Sequence, residues 1–163
     1  MPDGFPDVGI WQSRHSLRVL DVNGWSTDNG APVIQWDMHG GNNQQFRIES
    51  LGGGQFALRS VHSGKVLDVA GASLDNGAPI LQWDWHGGNN QRFWIADAGG
   101  DLFSIRSVHS GKVLDVSGWS TDNGAAIQQW DWHGGNNQLW QIVMPSSRPA
   151  QRPGGGVRFD DEP

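Results

Sequence analysis

One spacing governs what this chain can fold into. The triplet Leu-Asp-Val places its aspartate at Asp21, Asp68 and Asp115, and 68 − 21 and 115 − 68 both equal 47. Trp36, Trp83 and Trp130 keep that spacing, as do His39, His86 and His133, and Asn43, Asn90 and Asn137. Self-similarity at a period of about 20–50 residues marks one supersecondary unit used several times. The copies run Gly9–Ser50, Phe56–Ala98 and Phe103–Met144, joined by Gly52-Gly53-Gly54 and Gly99-Gly100-Asp101. Residues 1–8 read as an irregular leader. Residues 145–163, rich in Pro, Ser, Arg and Gly, read as a disordered tail or linker.

Inside one copy the hydrophobic period is two, which is that of a strand rather than a helix. In the third copy, Phe103–Val108, Val113–Val116, Ile127–Trp130 and Leu139–Ile142 alternate, separated by Ser110-Gly111-Lys112, Thr121-Asp122-Asn123-Gly124 and a His-Gly-Gly-Asn-Asn turn. The reading is all-β: four short strands per copy, twelve in all, and essentially no helix. One copy cannot bury its apolar face alone. Three around a pseudo-threefold axis share a core built from Leu20, Val22, Phe46, Ile48 and their equivalents, and closing the ring removes strand edges. A three-bladed propeller is the competing arrangement, but it falls below the usual blade number.

Each copy closes on Gln-x-aromatic: Gln44-Gln45-Phe46, Gln91-Arg92-Phe93 and Gln138-Leu139-Trp140. With Leu-Asp-Val upstream and Gln-Trp-Asp between, the chain resembles the ricin B-chain-like (R-type) lectin family over about Gly9 to Met144. The resemblance implies a β-trefoil of three four-stranded lobes and one sugar site per lobe. Carried over motif by motif, the carbohydrate-binding residues are Asp21, Trp36, His39, Asn43 and Gln44 in lobe 1. They are Asp68, Trp83, His86, Asn90 and Gln91 in lobe 2, and Asp115, Trp130, His133, Asn137 and Gln138 in lobe 3. Two departures stand out. The Gln that many relatives carry two positions before the stacking aromatic is Ile34, Leu81 or Gln128 here. The positions of an intra-lobe disulfide are Val19 and Met38, Val66 and Trp85, Val113 and Trp132, each pair read as an apolar contact in its place.

These residue types suit a pyranose. A carboxylate accepts from two adjacent hydroxyls as a charge-assisted pair, and Asn both donates and accepts. A Trp face stacks under the patch of C–H bonds, and His serves a further hydroxyl, as an acceptor that protonation below about pH 6 would disable. An axial hydroxyl leaves one continuous C–H face, which favours galactose-type sugars: galactose, N-acetylgalactosamine or lactose-type glycans, with plant polysaccharide a further possibility. Trp85, Trp132, Phe93 and Trp140 read as packing residues, and His15, His62 and His109 as structural. Trp25 and Trp119 follow the binding Asp and either lean over the site or cover their own loop; lobe 2 has Ala72 there.

The remaining classes are weighed against composition. A net charge of −6 with 11 Lys+Arg argues against nucleic acid. No apolar run is long enough to span a membrane, and the N-terminus lacks the pattern of a secretory leader. Zero Cys means no disulfide and no Cys-ligated metal. Neither the histidines nor the Asp-Asn-Gly turns at Asp28, Asp75 and Asp122 have metal-ligand spacing, so no cofactor is expected. No nucleophile–base pair is visible, so no enzyme is expected, and a monomer is the favoured state. The leading function is a free-standing trivalent lectin. The alternatives are a carbohydrate-binding module excised from a glycosidase or toxin, and a protein-binding trefoil.

Overall fold

The computed structural model describes residues 4–145. The tail expected from residue 145 onward therefore lies almost wholly outside the described residues, as do the first three residues of the leader. Twelve strands run in chain order: β1 (Val8–Ser13), β2 (Val19–Val22), β3 (Val33–Trp36), β4 (Phe46–Gly52), β5 (Gln55–Ser60), β6 (Val66–Val69), β7 (Ile80–Trp83), β8 (Phe93–Gly99), β9 (Leu102–Ser107), β10 (Val113–Val116), β11 (Ile127–Trp130) and β12 (Trp140–Val143). Antiparallel pairs β1–β4, β4–β5, β5–β8, β8–β9, β9–β12 and β12–β1 close a six-stranded barrel. Hairpins β2–β3, β6–β7 and β10–β11 cap one end. This is a β-trefoil. Each lobe also carries two three-residue 3₁₀ turns.

The core sits on the threefold axis. Leu20, Val22, Phe46, Leu67, Val69, Phe93, Leu114, Val116 and Trp140 are essentially fully buried, and Ile48 is nearly so. Ile95 and Ile142 are partly buried against the same cluster. The copies are not identical within the core. Gly9 stands where the other copies have Phe56 and Phe103, and a Cβ there would lie 2.9 Å from Ile142. Phe5 fills the gap, edge-on to both aromatics at 5.3 and 5.4 Å. Residues 5–8 are thus built into the fold.

The lobes are tied in a closed ring. Gln82, fully buried, donates from Nε2 to the carbonyls of Ser26 and Asp28 in lobe 1, and its Oε1 accepts from Ser63. Gln129 does the same to the turn of lobe 2, and Gln35 to that of lobe 3. Beside each, an Asn of the turn pairs with the Asp after the next lobe's Trp: Asn29 with Asp84, Asn76 with Asp131, Asn123 with Asp37. The Asp-Asn-Gly turns are therefore inter-lobe clasps.

Candidate carbohydrate site

The second strand of each lobe places the Asp, and the turn after the third strand covers it. All four residues of β2, β6 and β10 are buried. Leu and Val face the barrel, and Asp lies under the 3₁₀ turn Asn42–Gln44 or its equivalents. Gln44 Nε2 donates to Asp21 Oδ2 at 2.8 Å and to the Asp37 carbonyl at 2.9 Å. Its Oε1 accepts from the backbone N–H groups of His39 and Gly40. Gln91 and Gln138 repeat all four bonds around Asp68 and Asp115. The three glutamines have no exposed surface, and both ends of each amide are engaged. They orient the carboxylate from behind, with neither end of the amide left over for a ligand. This corrects the expectation that they are contact residues.

Asn43 and Asn90 donate from Nδ2 to the Asp beside them and to a strand carbonyl. Asn137 donates to the Val116 carbonyl at 3.1 Å. Its Oδ1 is buried with no protein partner, an acceptor that costs free energy until a donor reaches it. The histidines are fixed by their backbone. Gly41, Gly88 and Gly135 donate to Nδ1 of His39, His86 and His133, each at 3.0 Å. With Nδ1 accepting, the neutral ring carries its proton on Nε2, which lies 3.8–4.0 Å from the Asp carboxylate. The histidine is a donor at the site, not the acceptor expected from the sequence.

Burial pushes all three carboxyls upward, Asp21 to about 8, against the opposing hydrogen bonds from Gln44, Gln91 and Gln138. A desolvated carboxylate with lone pairs to spare is a strong acceptor for a ligand that brings its own O–H donors.

The aromatic wall comes from the end of the third strand. Trp83 and Trp130 are exposed and Trp36 half-buried. Each rests its ring edge on the turn glycine of another lobe: Trp83 on Gly30, Trp130 on Gly77, Trp36 on Gly124. In lobe 3 a cavity of about 430 Å³ is lined by Asp115, Trp130, His133 and Asn137, together with Ser117, Gly118, Trp119 and Gln128. In lobe 2 one of about 350 Å³ is lined by Asp68, Trp83, His86 and Asn90 with Gly71, Ala72 and Leu81. Four of the five expected residues thus converge in each. Gln128 also donates to Asp115 Oδ1 at 3.1 Å, a contact that Ile34 and Leu81 cannot make.

Phe93 and Trp140 are buried as expected, but Trp85 and Trp132 are 36% and 44% exposed, and Met38 40%. All three side chains therefore reach the surface. Trp85 and Trp132 lie over Gly87 and Gly134. Sequence reasoning missed Gln35, Gln82 and Gln129; their repetition before each Trp was the available signal.

The sequence matches the ricin-type beta-trefoil lectin domain-like family in three overlapping stretches, residues 8–83, 42–130 and 89–152. No curated protein matches it. Among solved structures it is similar to ThreeFoil, a designed threefold-symmetric protein, at 42% identity and a TM-score of 0.84, covering 85% of this chain and 99% of that one. It is similar to an exo-beta-1,3-galactanase from Clostridium thermocellum at 38% identity and a TM-score of 0.83, covering 88% of this chain but 31% of that enzyme. A ricin B-like lectin from Macrolepiota procera, solved with lactose, follows at 25% identity and a TM-score of 0.72, covering 83% of this chain and 93% of that one.

Proposed function

The chain belongs to the ricin-type beta-trefoil lectin domain-like family, and from that premise we propose that it is a non-catalytic, trivalent carbohydrate-binding domain for galactose-type glycans. The observation that carries the reading is the lobe 3 cavity. There a buried carboxylate, a His Nε2–H donor, an Asn oxygen with no protein partner and an exposed Trp face meet at one place. Hydroxyls of one sugar would donate to Asp115 and Asn137 and accept from His133, while its C–H face lies on Trp130. Lobe 2 brings the equivalent Asp68, Trp83, His86 and Asn90 around its own cavity, and lobe 1 carries the same residue types at the equivalent positions. The lactose complex of the Macrolepiota procera lectin and the galactan-directed enzyme that shares this domain support a galactose-type ligand. Resemblance to part of that galactanase equally favours a module serving a larger glycosidase, a reading that leaves the sugar site unchanged.

Titration calorimetry with methyl β-galactoside tests the proposal. At a pH above the raised Asp21 value of about 8, the expected stoichiometry is near three per chain, lost in the Asp21→Ala, Asp68→Ala, Asp115→Ala triple variant. Undiminished binding by that variant would refute the sites.

A further inference from the structure

We propose that lobes 1 and 3 each carry a second sugar subsite on Trp25 and Trp119, mounted by a histidine of the neighbouring lobe, and that lobe 2 lacks it. The proposal rests on the clefts being sugar sites. Directly after each Asp strand comes a 3₁₀ turn, Asn23–Trp25, Ala70–Ala72 or Ser117–Trp119. Its third residue has a positive φ: 56° at Trp25, 51° at Ala72 and 55° at Trp119. A bulky residue in the left-handed region is rare, and such strain clusters where a side chain must be aimed.

What the ring rests on shows where it is aimed. Trp119 lies parallel to His133, with centroids 5.6 Å apart and planes at 14°, and Trp25 lies parallel to His39 at 5.7 Å and 6°. Each ring crosses a glycine: a Cβ at Gly135 would come within 2.3 Å of Trp119, and one at Gly41 within 2.4 Å of Trp25. From behind, His15 meets Trp119 edge-on at 5.2 Å and places Nε2 2.8 Å from its carbonyl oxygen; His62 does the same for Trp25. In lobe 2 the whole mount survives. Gly88 and His86 keep the seat, and His109 reaches the Ala72 carbonyl at 2.8 Å, but the ring is missing. Trp119 is 47% exposed and lines the same cavity as Trp130, with Asp115 on that cavity's wall. A rigidly held aromatic face beside a sugar seat stacks the C–H face of a second, linked sugar. The ligand class is therefore a disaccharide or longer glycan at lobes 1 and 3, and a single sugar at lobe 2.

The test uses full chains with one intact lobe, the other two carrying Asp→Ala. Methyl β-galactoside is compared with disaccharides that extend galactose at its reducing or its non-reducing end. The lobe 1 and lobe 3 proteins should bind at least one disaccharide about fivefold tighter than the monosaccharide, and the lobe 2 protein should show no such preference. Trp119→Ala should bring the lobe 3 ratio to that of lobe 2, and Ala72→Trp should raise lobe 2 to match lobe 3. His15→Ala should lower the ratio in the lobe 3 protein and leave it intact in the lobe 1 protein, which a merely structural histidine would not do. Equal ratios in all three lobes, or a preference that survives Trp119→Ala, would overturn the subsite while leaving the sugar sites standing. Absence of monosaccharide binding in every lobe would remove both.

Discussion

Replacing Gln82 by Ala cuts one link of the ring between lobes. The amide makes three bonds: two donations to the Ser26 and Asp28 carbonyls at 3.0 and 2.9 Å, and one acceptance from Ser63 Oγ at 2.7 Å. Deleting a buried partner costs about 1 kcal/mol per bond, so the loss should be about 3 kcal/mol. In a domain of this size that lowers Tm by about 6–12 °C. Gln82→Glu separates the bonds from the cavity. It keeps the volume and the acceptor for Ser63 but faces two carbonyls with oxygens, so it should cost no less than Ala. Urea and thermal unfolding of both variants, with Gln35→Ala and Gln129→Ala beside them, measure the effect; the three alanine variants should agree within about 0.5 kcal/mol. The same cut frees the turn whose Gly30 backs Trp83, so sugar affinity should fall in lobe 2 more than elsewhere. A loss below about 1 kcal/mol would mean that water replaces the amide, and the clasp would not be what holds the lobes together.

Acidification should move stability and binding in opposite directions. Asp21, Asp68 and Asp115 titrate higher folded than unfolded, so their contribution to stability is full below the ordinary carboxyl value and is lost as pH rises through the raised one. The proposed sugar contact needs the ionised carboxylate. As pH falls through each raised value, about 8 for Asp21, toward the ordinary carboxyl range, thermal stability from these groups should rise as affinity falls, and parallel trends would refute the assignment. No group of three or more His, Cys, Asp or Glu gathers among the described residues. EDTA should therefore leave sugar binding unchanged, and a loss restored by calcium would reverse that. On an immobilised multivalent glycan, Asp68→Ala should cost less avidity than Asp21→Ala or Asp115→Ala, because lobe 2 lacks the Trp mount. Equal losses in surface binding would count against the asymmetry.

What could be read from the sequence was whatever repeats within 47 residues. The strands Val113–Val116 and Ile127–Trp130 fall at the predicted positions, and Asp115, Trp130, His133 and Asn137 meet in one cavity. What could not be read was which lobe a residue faces. Gln82 and Asp28 are far apart in sequence, and His62 reaches Trp25 across a lobe boundary; an identical motif in each copy gives no hint of a partner in the next. Gln138 looked like a contact residue because it adjoins Asn137, yet the one-residue step turns it inward, where its amide is consumed by protein. Trp132 looked like packing because Trp usually is. Its place on a Gly-rich turn, with no strand to cover it, leaves it in solvent.

The pairing of β1 with β12, from Ile10 with Val143 to Ser13 with Trp140, has a consequence for how the chain matures during synthesis. Lobes 1 and 2 can clasp each other as they leave the ribosome, but the barrel stays unzipped until the last strand arrives. Until then β1 presents an open edge, and long-range closure of this kind is slow. Because the copies are so alike, that edge finds a nearly correct partner in any neighbouring chain. Crowding during expression should therefore trap exchanged dimers through the seam, with the same strand registers as the single chain and the same candidate clefts.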